Sequence, residues 1–170
     1  MNEDGRPTVL GEEMLTQMRP TAFGFSKRKE EEIVLCISFN QDKSSLALGT
    51  NFGYKIFSTK NFKKVGEKDM DKPIVKIQML YRSNLLLLVE GELNPGTKRY
   101  YGLNRMLLWD DRENVSTGLI PLKGLVNKLK MRKDLIYLVY ESSIDVFSLE
   151  TMEMLREGIP TKPNPQGKRG

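Results

Sequence analysis

Residues 46–62 read Leu46-Ala47-Leu48-Gly49-Thr50-Asn51-Phe52-Gly53-Tyr54-Lys55-Ile56-Phe57-Ser58-Thr59-Lys60-Asn61-Phe62. Six of these, Leu46, Leu48, Ile56, Phe57, Ser58 and Phe62, recur 90 residues later as Ile136, Leu138, Val146, Phe147, Ser148 and Met152. A third version lies between them, opening at Ile74-Val75-Lys76-Ile77 and reaching its third strand at Met106-Leu107-Leu108-Trp109. The displacement is therefore two periods of about 45 residues, the length of one four-stranded propeller blade. Such a unit is apolar on both faces and buries them only by standing beside another unit.

Working outward, short runs rich in Ile, Val, Leu, Phe and Tyr alternate with clusters of Asn, Asp, Gly and Ser, the signature of strands and turns. Strands are expected at 33–39, 46–49, 53–58, 74–80, 85–89, 105–109, 115–120, 125–131, 135–140, 144–148 and 152–156, with no competing helical stripe. The continuous run Leu85 to Val89 fits a strand covered on both sides. The expected fold is all-β: an incomplete WD-repeat-like β-propeller of about three four-stranded blades. Blade one covers about 33–67, blade two about 74–120, blade three about 125–160, and a tail follows over 161–170. Residues 1–32 show no period, carry Gly5, Pro7, Gly11 and Pro20, and end in a charge run, so they read as a mobile leader.

The 170 residues contain no histidine, which removes the Ser-His-Asp triad, the Cys-His pair, His-ligated zinc and the histidine general base. The single cysteine, Cys36, forms no intrachain disulfide and no multi-cysteine metal site. Flanked by Leu35 and Ile37 in a strand, it reads as packed rather than reactive. Asp110 and Asp111 are adjacent on a strand and so point to opposite faces, which argues against an acid-base pair. No catalytic residue, metal site or cofactor is implied. The longest apolar run falls far short of the ~20 residues of a membrane span, and no targeting signal is readable at Met1-Asn2-Glu3-Asp4. Net charge is +5, and residues 33–170 carry 22 basic against 15 acidic side chains. That excess favours anionic partners, although scattered lysines also suit an ordinary soluble surface.

The strings Ile37-Ser38-Phe39-Asn40-Gln41-Asp42 and Leu48-Gly49-Thr50-Asn51-Phe52-Gly53-Tyr54-Lys55-Ile56-Phe57 resemble the first blade of the PROPPINs, the autophagy propellers called WIPI proteins in animals. Met79 to Val89 resembles their second blade. Asn94-Pro95 with Asn104-Arg105-Met106-Leu107-Leu108-Trp109-Asp110-Asp111 resembles the family's Asn-Pro, spacer and Trp-Asp-Asp stretch. Leu129 to Asp134 with Ile144 to Phe147 is similar to blade three, and Asn164-Pro165-Gln166-Gly167 to the lead into blade four. The resemblance covers residues 33–167.

It implies a non-catalytic autophagy adaptor, cytoplasmic and, in complete form, peripheral on autophagosome-forming membranes rich in phosphatidylinositol 3-phosphate or 3,5-bisphosphate. The family's phosphoinositide pockets lie in blades five and six around a Phe-Arg-Arg-Gly motif, and that motif does not occur in these residues. The terminal Gly167-Lys168-Arg169-Gly170 has no preceding aromatic and reads as coincidence. The subgroup resembled implies an autophagic lipid-transfer protein as partner, with Asn40 and Asp42 at the contact. The same two residues also suit a turn that bonds its own backbone. Trp109 is expected in the core between blades.

Lys98, Arg99, Tyr100 and Tyr101 place cations beside amphipathic rings in a long connection over 90–104, suited to a lipid headgroup zone or an acidic peptide, although a merely solvated loop accounts for them more simply. No RNA-binding signature accompanies them, so nucleic acid is not an expected partner. The alternative to the adaptor is a general WD-repeat-like protein-interaction module unconnected with membranes.

Overall fold

A computed structural model describes residues 31–164; all but the last two residues of the leader expected over 1–32, and the end of the expected tail over 165–170, lie outside the described residues. Residues 32–164 belong to one unit built of three antiparallel four-stranded sheets, with no helix among the described residues. Blade one holds β1 (Val34–Phe39), β2 (Ser45–Thr50), β3 (Gly53–Ser58) and β4 (Lys64–Asp69). Blade two holds β5 (Ile74–Met79), β6 (Leu85–Asn94), β7 (Arg99–Asp110) and β8 (Val115–Pro121). Blade three holds β9 (Lys128–Met131), β10 (Leu135–Val139), β11 (Ser143–Ser148) and β12 (Met154–Pro160). Each sheet is a simple meander, and the first strands β1, β5 and β9 lie side by side along the inner edge.

The repeat seen in the sequence reappears in the backbone. Each turn between third and fourth strands ends in a non-glycine residue at positive φ: Phe62, Asn114 and Met152. Each donates its N–H to the last residue of the preceding strand, Ser58, Asp110 and Ser148, at 2.9, 2.8 and 3.0 Å.

Two apolar seams join the blades. Between blades one and two, Ala47, Tyr54, Ile74, Ile77, Met79, Leu86, Leu88 and Leu107 are buried together, with Cys36, Ile56 and Trp109 packed alongside. Between blades two and three, Leu87, Val89, Met106, Leu108 and Ile120 meet Leu129, Met131, Ile136, Leu138 and Phe147. Along β6, Leu86 and Leu88 thus serve one seam while Leu87 and Val89 serve the other, because successive side chains of a strand point to opposite faces. Tyr54 also crosses the first seam and donates its hydroxyl to Asp111.

Some strand bounds shift, the strand expected at 125–131 forming only over Lys128–Met131 and that expected at 152–156 over Met154–Pro160 because Met152 closes the preceding turn, and two segments differ outright from the sequence expectation. β4 was not anticipated, because its one large apolar residue, Val65, is exposed and the strand exists through pairing with β3. The connection over 90–104 is not a loop: β6 and β7 continue through it as a paired hairpin, Gly91 opposite Gly102, Glu92 opposite Tyr101 and Asn94 opposite Arg99. The turn at its end is closed by Asn94, whose Oδ1 accepts the N–H groups of Gly96 and Thr97 at 2.9 Å each. That is the Asn turn-former role.

Candidate functional site

The turn Asn40-Gln41-Asp42-Lys43-Ser44 joins β1 to β2 and sits beside the matching turn of blade two. Asn40 is buried. Its Nδ2 donates to Ser44 Oγ at 3.0 Å and to the Tyr81 carbonyl of blade two at 2.9 Å, while its Oδ1 accepts the Ser45 N–H at 3.1 Å. All of these bonds are internal, so Asn40 acts on any partner through the shape it gives the turn. Asp42 is exposed. One carboxylate oxygen accepts the Ser44 hydroxyl at 2.6 Å and the Ser44 N–H at 3.0 Å; the other lies 3.3 Å from Arg82 Nε of blade two. The Ser44 hydroxyl, then its N–H, hold the Asp42 carboxyl below its usual range. A fixed anion beside the exposed cations Arg82 and Lys43 thus stands on a turn with little freedom left to lose.

Gln41, which the sequence reading passed over, supplies most of that rigidity. Its Nε2 donates to the Met79 carbonyl at 2.9 Å and the Met131 carbonyl at 2.7 Å, and its Oε1 accepts the Tyr81 N–H at 2.6 Å. One carboxamide ties blade one to both other blades. Nothing local could have signalled this, since the partners lie 38, 90 and 40 residues away.

The turn overlooks a recess of about 820 Å³ that Ile37, Phe39, Lys128, Arg132, Tyr137 and Val139 help to line. Four cations, Lys43, Lys128, Lys130 and Arg132, border it without a carboxylate among its lining residues.

Lys98, Arg99, Tyr100 and Tyr101 lie at the opposite end of blade two, on the β6–β7 hairpin, so the structure does not bring them together with Asn40 and Asp42. Lys98 is in the turn at positive φ, and Arg99 and Tyr101 are exposed. The Tyr101 hydroxyl donates to Glu92 at 2.9 Å, and Glu92 also faces Lys72 Nζ at 3.1 Å. Lys72 holds the Glu92 carboxyl low, and Glu92 in turn pushes the Tyr101 hydroxyl up. Arg99, Tyr100 and Tyr101 border a groove of about 560 Å³ with Val34, Val75 and Leu125.

The other singled-out residues have structural partners. Asp110 accepts from Asn84 Nδ2 and from the Arg112 N–H at 2.9 Å, closing the β7–β8 turn. Asp111 takes the Tyr54 hydroxyl across the seam. Cys36 donates to the Ile74 carbonyl at 3.7 Å, and burial pushes its thiol up to about 11. Among the described residues no three His, Cys, Asp or Glu side chains gather as a metal site.

No family model matches the chain. It is similar to SVP1-like protein 2 of Neurospora crassa, 31% identical over 134 residues that cover 79% of this chain and 30% of the relative. It is likewise similar to autophagy-related protein 18 of Debaryomyces hansenii, 32% identical over 144 residues that cover 84% of this chain and 25% of the relative. The chain thus spans less than a third of the length of either. Among solved structures, the crystal structure of Kluyvelomyces marxianus Hsv2 superposes with a TM-score of 0.66 at 23% identity, covering 76% of this chain and 40% of that one. KlAtg21, solved in complex with the coiled-coil of AgAtg16, superposes at 0.58 and 19% identity, covering 73% and 39%. At such identities the likeness speaks for the propeller fold.

Proposed function

The chain belongs to the PROPPIN family of β-propellers, and on that premise we propose that it is a non-catalytic adaptor of autophagy whose recognition surface in these blades is the Asn40–Ser44 turn. The carrying observation is the contrast within that turn: Asn40 and Gln41 are spent inside the chain, while the Asp42 carboxylate is held exposed between Ser44 and Arg82. A side chain presented from a rigid sheet is recognised without first ordering a loop, which lowers the entropic cost of association. The partner proposed is an autophagic lipid-transfer protein, contacting Asp42 through a basic or N–H-rich segment. A neighbour solved with a coiled-coil segment supports protein partners for this fold.

The hairpin end bearing Lys98, Arg99, Tyr100 and Tyr101 is proposed as a subsidiary contact with anionic lipid headgroups. Membrane attachment by selective phosphoinositide capture is assigned to the complete family architecture, since these residues contain no Phe-Arg-Arg-Gly motif. The adaptor would act at autophagosome-forming membranes.

Pull-down of the lipid-transfer protein by the chain and by Asp42→Ala tests the reading. Removing a charged hydrogen-bond partner should weaken capture by about 1–3 kcal/mol with an unchanged melting profile, because Asp42 holds nothing outside its own turn and Arg82. Capture equal to that of the parent would end the proposal for this turn.

A further inference from the structure

Strand β7 outruns its neighbour on the outer side. It pairs with β6 from Arg99 opposite Asn94 to Asp110 opposite Leu85, whereas β8 accompanies it only from Val115 opposite Asp110 to Pro121 opposite Arg105. The last bond on that side runs from the Leu122 N–H to the Asn104 carbonyl at 3.0 Å, after which the chain leaves for β9. A strand residue turns its N–H and C=O to one edge and the next residue turns them to the other. Tyr100 and Gly102 therefore show theirs on the same edge as Asn104, where no described strand takes them. Such a row is a template for a further strand. It is set inside blade two, by the point at which β8 leaves the sheet.

The same stretch of β7 borders the groove of about 560 Å³, where residues 99–103 follow one another along its lining. The β8–β9 linker borders it too, through Leu122, Gly124 and Leu125, and Val75 and Val89 contribute apolar surface. A Cβ on Gly102 would come within 3.3 Å of Val89 and 3.4 Å of Val75, so the bare backbone lies close against that apolar surface. A Cβ on Gly124 would meet nothing within 4 Å, and its φ is not left-handed. Neither packing nor backbone calls for glycine there, and the missing side chain keeps the groove open. Leu125 beside it is 71% exposed. The lining includes Lys76 and Arg99 and no carboxylate. Lys76 Nζ donates to the Asn127 carbonyl at 3.1 Å, whereas Arg99 is exposed and in no ion pair among the described residues.

We propose that this edge takes an extended acidic-apolar peptide segment of another protein as an added strand, lying in the groove and continuing the row of β8 along β7. The free stretch offers about five residues at ~3.3 Å each, or ~16 Å of edge. Main-chain bonds to Tyr100 and Gly102 supply affinity, while alternate apolar side chains on the Val75 and Leu125 surface and a carboxylate at Arg99 supply selection. A lipid carries no row of alternating N–H and C=O groups, which is why the groove favours a peptide even though the hairpin tip beside it suits headgroups. The site lies at the opposite end of blade two from the Asn40–Ser44 turn and does not rest on the reading of that turn.

The probe is a synthetic peptide of alternating valine and threonine with an aspartate at each end, added to the purified chain and followed by amide hydrogen exchange in nuclear magnetic resonance. Exchange at Tyr100 and Gly102 should slow at least about tenfold with peptide bound, while Tyr101, whose amide faces β6, changes little. N-methylating the peptide at its valines or at its threonines should weaken binding unequally, since only one set of N–H groups faces β7. Gly124→Phe, which sets a ring in the groove from a position with room for it, should weaken binding at least about tenfold, and Arg99→Glu at least about fivefold. Gly124→Phe should leave capture through the Asn40–Ser44 turn intact, so the two readings fail separately. No binding at about 1 mM peptide, equal binding of both methylated forms, or unprotected Tyr100 and Gly102 amides would overturn the proposal. So would the same protection conferred by phosphatidylserine vesicles, or by self-association of the chain without peptide. Should Gly124→Phe lose its strand spectrum by circular dichroism, exchange at Tyr100 and Gly102 in the parent decides the matter.

Discussion

Replacing Gln41 by alanine should loosen all three blades at once. The side chain makes three hydrogen bonds, two donated to the Met79 and Met131 carbonyls and one accepted from the Tyr81 N–H. At a net of about 0.5–1.5 kcal/mol each, their sum is about 1.5–4.5 kcal/mol. Gln41 is only half-buried and borders an open recess, so water re-solvates part of what is lost; about 2 kcal/mol is the expected cost. Gln41→Glu should cost more, since a carboxylate cannot donate to the two carbonyls and is repelled by them. Trp109 is the sole tryptophan and packs at the seam between blades one and two, so its fluorescence reports seam opening during urea denaturation. With a slope of about 2 kcal/mol per molar urea, the midpoint should fall by about 1 M at fixed protein concentration, held constant because association alters apparent stability. A Gln41→Ala midpoint within about 0.2 M of the parent, about 0.4 kcal/mol on that slope, would refute the bridging role. So would Gln41→Glu proving milder than the alanine variant.

Asp145 is 1% exposed and accepts Lys123 Nζ at 2.8 Å and the Gly158 N–H at 2.7 Å. Lys123→Met should therefore cost about 3 kcal/mol in urea melts by leaving a buried carboxylate without its cation, and a loss under about 0.5 kcal/mol, the scale of a weak surface pair, would contradict this. Alkaline titration should show stability falling from about pH 9 upward. Burial raises the Cys36 thiol to about 11 and the Tyr140 hydroxyl to about 12, so both neutral forms stabilise the fold below their unfolded values and that contribution is lost as pH climbs through the folded ones. Cys36→Ala should flatten the profile between pH 9 and 11, and an unaltered profile would remove Cys36 as a cause. Binding to anionic liposomes through Lys98 and Arg99 should be weak, indifferent to headgroup and abolished by salt; preference for phosphatidylinositol 3-phosphate over phosphatidylserine at physiological salt would demand a selective pocket.

Inner and middle strands were readable in the sequence because a blade covered on both faces writes a near-continuous apolar run, as in Leu85 to Val89. The outer strand β4 was not. Among Lys64, Val65, Gly66, Glu67, Lys68 and Asp69 no apolar alternation survives, and the strand is held by backbone pairing to β3 and by Lys55 facing Glu67 at 3.4 Å. The β6–β7 hairpin was hidden for a related reason. Its pair Glu92–Tyr101 is joined by a side-chain hydrogen bond and its pair Asn94–Arg99 by backbone register, rather than through a buried face.

The same division runs through the candidate site. Asn40 and Asp42 were readable as turn residues, but which of them is available to a partner depends on the Tyr81 carbonyl 41 residues away, which takes the Asn40 amide inward. Gln41 depends on strands of two other blades. Inside a blade the chain's chemistry is local and leaves a period in the sequence, whereas the contacts that make the turn rigid cross between blades and leave none. A recognition surface on a propeller rim is assembled from such crossings, so its residues become legible only when neighbouring blades stand beside it.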